Sequence, residues 1–285
     1  MLWCGIAQYA SEMGLRYLIG VFAGGTQSLF GSSYGTMLRR FRRAVALVVQ
    51  IIGAVVNLWL MRLQGPLTLE RRANWVHRLA QTVVGFLDIS CSVKGDPPTH
   101  GLVVANHLSY LDIAVLAAAM PCFFVAKIEI GGWPFFGKAA RLGGTIFIDR
   151  SSKRSAQSVA VQMRERLELS IAAPIVLFPE GTSTDGSEVL RFHSRLFDPA
   201  TSLGVPVTSA GIRYAIPDGR PEREVCWYGN ETFVHHLWKV LGMTGFEAEV
   251  RFGESRAYTD RRVAADITHD EIAAMRGESA LAPRG

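Results

Sequence analysis

The feature that most limits what this chain can fold into is the apolar run at residues 44–63, immediately after Arg39-Arg40-Phe41-Arg42-Arg43. Its polar members are Gln50, Asn57 and Arg62, the last near the end, where a long side chain can reach a polar boundary. About twenty apolar residues in helix match the thickness of a hydrocarbon layer and exceed what a soluble core helix needs. Arg62, Arg71, Arg72 and Arg78 follow the run, so arginines flank both of its ends. Two insertions fit this pattern. A single span that leaves the rest of the chain in the cytoplasm puts the arginine cluster outside, against the positive-inside rule. A helix or helical pair seated in one face, with its arginines on headgroups, avoids that conflict. Upstream, the apolar stretch at 15–30 is interrupted by Gly20, Gly24 and Gly25 and is too short to span. The first apolar stretch has no basic region before it, so a cleaved signal peptide is not expected.

Charge divides the chain in the same way. Residues 1–100 hold ten Lys/Arg against four Asp/Glu, whereas 101–285 hold twenty against twenty-one, within an overall net charge of +5. A basic N-terminal third on a near-neutral remainder favours an anionic membrane surface and argues against nucleic acid. Cys4, Cys91, Cys122 and Cys226 have no paired spacing, which fits a reducing compartment and neither a disulfide framework nor a zinc site.

Residues 70–89 read as a second, amphipathic helix, with Trp75, Val76, Leu79, Val83, Phe86 and Leu87 at helical spacing. Gly95-Asp96-Pro97-Pro98 then breaks the chain. The expected organisation is therefore membrane-associated helices over 1–96, a second domain over 97–270 and a tail over 271–285. Within that domain, strand candidates at 102–105, 122–126, 145–148, 175–178, 207–212 and 248–252 alternate with helices at 110–120, 153–169 and 267–276. The pattern predicts an α/β fold: a mixed, mostly parallel sheet covered by helices, behind an N-terminal apolar helical anchor.

Several chemical signatures fail. Gly132-Trp133-Pro134-Phe135-Phe136-Gly137-Lys138 has the spacing of a phosphate-binding loop, but Ala139 replaces the magnesium-binding hydroxyl, and Pro and Phe crowd the loop. No Gly-x-Ser-x-Gly nucleophile elbow is present. His235 and His236 are adjacent, not at metal-ligand spacing.

Asn106-His107-Leu108-Ser109-Tyr110-Leu111-Asp112 is the stronger candidate, placed between a predicted strand and a predicted helix. Five steps along a helix rotate about 140° beyond a full turn, so His107 and Asp112 cannot share a straight helix face. They converge only if His107 lies in the turn and Asp112 in the first helical turn, the geometry that a histidine base and its orienting carboxylate require. A purely structural alternative exists: Ser109 followed three residues later by an acid also fits a helix N-cap. Three later stretches join the candidate. Gly144 to Arg150 is a strand ending in a charged pair that could present Arg150 to an anion, and an ordinary surface arginine at a strand end accounts for it equally well. Phe178-Pro179-Glu180-Gly181-Thr182 ends a strand with a carboxylate able to accept from a substrate hydroxyl, or serving only as a helix-start acid or turn residue. Val205-Pro206-Val207 leads into another strand, and an ordinary strand-entry proline accounts for it equally well.

In order and spacing these four blocks resemble the glycerolipid acyltransferase family, which includes 1-acylglycerol-3-phosphate acyltransferases; the resemblance spans about residues 100–215. It implies an O-acyltransferase that moves a fatty acyl group from acyl-CoA or acyl carrier protein to a lysolipid hydroxyl, at the cytoplasmic face of a membrane. His107 would be the general base and Asp112 its orienting partner. Arg150, Glu180, Gly181 and Thr182 would bind the acceptor, with no metal or redox cofactor. Lysophosphatidate is the first acceptor implied. One departure bears on it: phosphatidate-forming members carry Arg then Ser after this Glu-Gly-Thr, where this chain has Ser183-Thr184. Asp185-Gly186 and the following Val189 to Phe197 resemble relatives that acylate lyso-ornithine lipid. The alternative from another class is a catalytically silent membrane lipid-binding protein; loss of His107 or Asp112 would be its signature, and both are present.

Overall fold

The computed structural model describes residues 32–132, 136–149, 153–169 and 171–277. The chain divides into two units, Met1–Leu38 and Arg39–Gly285. Of the first, the described part is the opening of helix α1 (Ser32–Leu63).

The second unit is built on a seven-stranded sheet. Its strands are β1 (Ile89–Lys94), β2 (Leu102–Ala105), β3 (Phe123–Lys127), β4 (Ile146–Ile148), β5 (Ile175–Leu177), β6 (Val207–Ala215) and β7 (Phe246–Phe252), in the order β1-β7-β6-β2-β5-β3-β4. Every neighbouring pair is parallel except β6 with β7. The helices are α2 (Leu69–Phe86), α3 (Leu111–Ala119), α4 (Phe136–Gly143), α5 (Lys153–Glu168), α6 (Asp198–Leu203), α7 (Phe233–Gly242) and α8 (Arg261–Gly277). This is the mixed, mostly parallel α/β sheet that the alternating pattern predicts.

Strand β2 explains why a continuous apolar run marks the centre of such a sheet. Val103 and Ala105 face a layer containing Ala80 and Val84 of α2, Leu111, Val115 and Leu116 of α3, and Val240 and Leu241 of α7. Leu102 and Val104 face the opposite layer, with Val159 and Met163 of α5 and Ala264, Ala265 and Ile272 of α8. Successive side chains alternate between two covered faces, so none can be polar.

Two expected boundaries move. Residues 89–94, placed by sequence with the membrane helices, form β1 and pair along their length with β7. The break at residues 95–98 is thus a connection inside the sheet. Residues 271–277, expected as the start of a tail, belong to α8, because Ile272 is buried in the core and Arg276 is bonded to Glu222.

From Arg39 onward, α1 is tied down near both ends. Arg43 is buried and donates to the Met243 carbonyl at 2.6 Å and to Asp88 Oδ2 at 2.5 Å, and Arg39 donates to the Gly242 carbonyl at 3.1 Å. At the far end Leu58 and Met61 are buried against Trp75 of α2, with Ala139 and Leu142 of α4 alongside. Between these anchor points Val45, Val48, Val49, Ile52, Val55, Val56 and Trp59 are exposed.

Candidate active site

The carboxyl ends of the parallel strands carry the motif residues, as expected where a parallel sheet presents a site. Strand β2 stops at Ala105, and Asn106 extends its ladder by side chain instead of main chain. The amide oxygen accepts from the Ile212 N–H at 2.7 Å, and the amide nitrogen donates to the Ile212 carbonyl at 3.1 Å. This fixes where the turn begins. His107 follows in the turn and Asp112 lies in the first turn of α3, the arrangement their spacing requires.

His107 Nδ1 lies 2.8 Å from Asp112 Oδ2. A carboxylate only accepts, so Nδ1 carries the proton and Nε2 is left with a lone pair. The same Oδ2 accepts the main-chain N–H groups of Leu108 at 2.7 Å and Ser109 at 2.9 Å. Oδ1 accepts the Tyr214 hydroxyl at 2.6 Å. Four donors therefore surround a carboxylate that is fully buried, while the His107 side chain is 19% exposed. The Phe178 ring covers one face of the imidazole, with centroids 4.2 Å apart and planes 21° from parallel. Ser109 does not serve as the N-cap that its spacing allows. Its hydroxyl is buried with no hydrogen-bond partner among the described residues, and the capping runs in reverse, with the Ser109 N–H donating to the Asp112 side chain.

The stretch after β5 holds the main chain of His107 from both sides. Glu180 Oε1 accepts the His107 N–H at 2.7 Å, and the Thr184 N–H donates to the His107 carbonyl at 2.9 Å. Glu180 Oε2 accepts the Leu190 N–H at 2.9 Å, so both carboxylate oxygens meet main-chain donors, one in each of the two motif loops. Burial raises the pKa of Glu180 above the ordinary glutamate value, and the Leu190 and His107 N–H groups act against that rise. Gly181 has φ +80°, in the left-handed region that only glycine enters without strain, so the chain can reverse immediately after Glu180. Thr182 is exposed. Ser183 Oγ donates to the Trp227 carbonyl at 2.5 Å, and the Trp227 N–H donates to the Leu108 carbonyl at 2.8 Å. The two motif loops are thereby stitched to a third segment.

The structure brings His107, Asp112, Glu180 and Gly181 together; Arg150 lies outside the described residues. Sequence reasoning missed Tyr214 and Thr184. The hydroxyl of Tyr214 reaches Asp112 from 102 positions away, a separation that no local spacing rule detects.

A His–Asp pair sits at the mouth of a mostly parallel sheet in a chain that carries an exposed apolar helix, and comparison with known proteins supplies the class. The Acyltransferase family model matches residues 93–213. The chain is 36% identical over 212 residues to the lyso-ornithine lipid O-acyltransferase of Rhodobacter capsulatus, covering 70% of this chain and 74% of that protein. It is 30% identical to the 1-acyl-sn-glycerol-3-phosphate acyltransferase of Neisseria meningitidis, covering 74% of this chain and 84% of that one. The crystal structure of the 1-acyl-sn-glycerophosphate acyltransferase of Thermotoga maritima superposes with a TM-score of 0.62 at 17% identity, over 88% of this chain and all of that one, and so shares the fold. The chain belongs to the acyltransferase family that contains these lysolipid O-acyltransferases.

Proposed function

We propose that the protein transfers a fatty acyl group from a thioester donor, acyl-CoA or acyl carrier protein, to the free hydroxyl of a lysolipid at the cytoplasmic face of a membrane. The observation that carries this reading is the His107–Asp112 pair at 2.8 Å, with Nε2 left as the available base. A lysolipid hydroxyl attacks a thioester poorly unless its proton leaves as the new bond forms. Nε2 accepts that proton while the hydroxyl oxygen bonds to the thioester carbon. Collapse of the tetrahedral intermediate breaks the carbon–sulfur bond, and the departing thiolate recovers the proton from the imidazolium. Asp112 stabilises the positive charge held on the ring between these steps. Glu180 and Thr184 support the reading by fixing the backbone from which that ring projects.

Family resemblance alone puts lysophosphatidate first as acceptor, and the relative from Neisseria meningitidis supports that reading. Position 183 favours lyso-ornithine lipid. A phosphomonoester is best held by a bidentate arginine, whereas Ser183 is short and its hydroxyl is already committed to the Trp227 carbonyl. Attachment from one face of the membrane is supported by the anchoring of α1. Arg43 and Met61 lie roughly 27 Å apart along the helix axis, and both are held by the same unit. A helix crossing the bilayer would carry one of those ends away.

An acceptor panel in membranes tests the reading, with labelled acyl-CoA and acyl carrier protein donors offered to lysophosphatidate, lyso-ornithine lipid and zwitterionic lysophospholipids. Lyso-ornithine lipid is expected to be acylated fastest, and Ser183→Arg is expected to move acceptance toward lysophosphatidate. Turnover on none of them contradicts the reading. An unmoved preference in Ser183→Arg contradicts the assignment of head-group choice to that position.

A further inference from the structure

We propose that Tyr214 is a positioning residue of the acyl-transfer centre, completing a His107–Asp112–Tyr214 chain in which the phenol fixes the carboxylate that orients the base. The inference rests on the dyad reading given above. Tyr214 lies near the end of β6, which runs parallel to β2 and ends on the same edge of the sheet. Its ring is buried, standing edge-on to Phe246 with centroids 5.5 Å apart, and its hydroxyl donates to Asp112 Oδ1 at 2.6 Å. The main chain at the same residue is anchored separately. The Tyr214 N–H donates to Glu222 Oε1 at 2.7 Å, and Glu222 Oε2 is paired with Arg276 of α8 at 2.8 Å.

The two oxygens of Asp112 are loaded differently. Oδ2 holds His107, Leu108 and Ser109 at once, all donors from the loop just before α3. Those three bonds leave the carboxylate plane free to swing about Oδ2. A donor on Oδ1 from another strand removes that freedom, and with it the freedom of the imidazole to tilt on the carboxylate. Tyr214 is suited to the task because burial, and then the neighbouring Asp112, raise its pKa well above that of an ordinary phenol, so it stays a neutral donor. The other ionisable groups facing this carboxylate are Glu180, in the loop after β5, and the buried thiol of Cys226.

Tyr214→Phe keeps the ring and removes only the hydroxyl, so it is the variant to make. A lost hydrogen bond to an anionic group predicts a fall in kcat of about tenfold with KM within about twofold of wild type. A structural role alone would not depend on Asp112, so the second arm is a double-mutant cycle. In an Asp112→Asn background, adding Tyr214→Phe is expected to cost less than about a further twofold. Wild-type kcat in Tyr214→Phe, or an undiminished tenfold loss in the Asp112→Asn background, overturns the proposal. His107→Ala run alongside separates the two readings. If that variant is inactive while Tyr214→Phe is unimpaired, only the role of Tyr214 falls; if it remains active, the dyad itself falls.

Discussion

His107 is held by its backbone as firmly as by its side chain. Its N–H, its carbonyl and its Nδ1 are all engaged, by Glu180, Thr184 and Asp112. Ring freedom is narrowed further by the stacked Phe178. Precision at one nitrogen is therefore distributed over the stretch after β5 and the first turn of α3, and a small change in either should be felt in turnover. Gly181 is the clearest case. An alanine at φ +80° is strained by about 1–2 kcal/mol, and relief of that strain would displace Glu180 from the His107 N–H. Gly181→Ala should lower the free energy of unfolding by about that amount and reduce kcat; unchanged stability with full activity would show that the loop does not set the site. At this scale the sequence was informative where partners are close. His107 and Asp112 lie within seven residues, so strand-turn-helix geometry alone predicts their meeting. The bonds of Glu180 and Tyr214 run 73 and 102 positions along the chain and had no local signal. Family resemblance singled out Glu180 as an acceptor-binding carboxylate, and its observed bonds go to the protein's own amides.

Among the elements, strands that carry an apolar run were legible, edge strand β4 included, and β1 was not. Strand β2 is four buried residues in a row, which only a central position allows. Strand β1 has one buried residue followed by five exposed ones, Ile89 to Lys94, and lacks an apolar run at a sheet edge that meets no neighbour among the described residues. The apolar helix was legible as membrane-seeking from its length, but its mode of insertion was not, since arginines flank both ends. The tertiary contacts of Arg43, Leu58 and Met61 are the observations on which the proposed one-sided attachment rests. One-sided attachment predicts that cysteines introduced at Arg42 and Gln64, in a chain whose own cysteines are replaced, react with an impermeant maleimide from the same side. Labelling from opposite sides would establish a span.

At the scale of the molecule, the helical layer containing α2, α3 and α7 links the membrane-facing helix to the site. Tyr110, at the start of α3, packs edge-on against Phe233 and His236 of α7, and its hydroxyl lies 3.1 Å from His236 Nδ1. Burial lowers the pKa of His236 below its ordinary value of 6.5. The folded chain thus keeps this imidazole neutral at pH values where the unfolded chain protonates it. Stability due to this group is present above 6.5 and is lost as pH falls from there toward the lowered native value. Between about pH 7 and pH 5 the wild type should lose melting temperature faster than His236→Gln, which cannot take up a proton; parallel curves would refute the assignment. The fold of this molecule was readable from the alternation of strands and helices and its family from four short blocks, the first and third of which sit where β2 and β5 end. Head-group choice was not, because short blocks carry no signal for how an acceptor is held in three dimensions.

The central claim is that His107 supplies the base, and one measurement addresses it directly. Purified His107→Ala, shown by its melting curve to be folded, is assayed for labelled acyl transfer into lysolipid in membranes beside the wild type. The dyad predicts that kcat falls by about a thousandfold with the fold intact, within the range for removal of a general base. Transfer at the wild-type rate by the folded variant would contradict it.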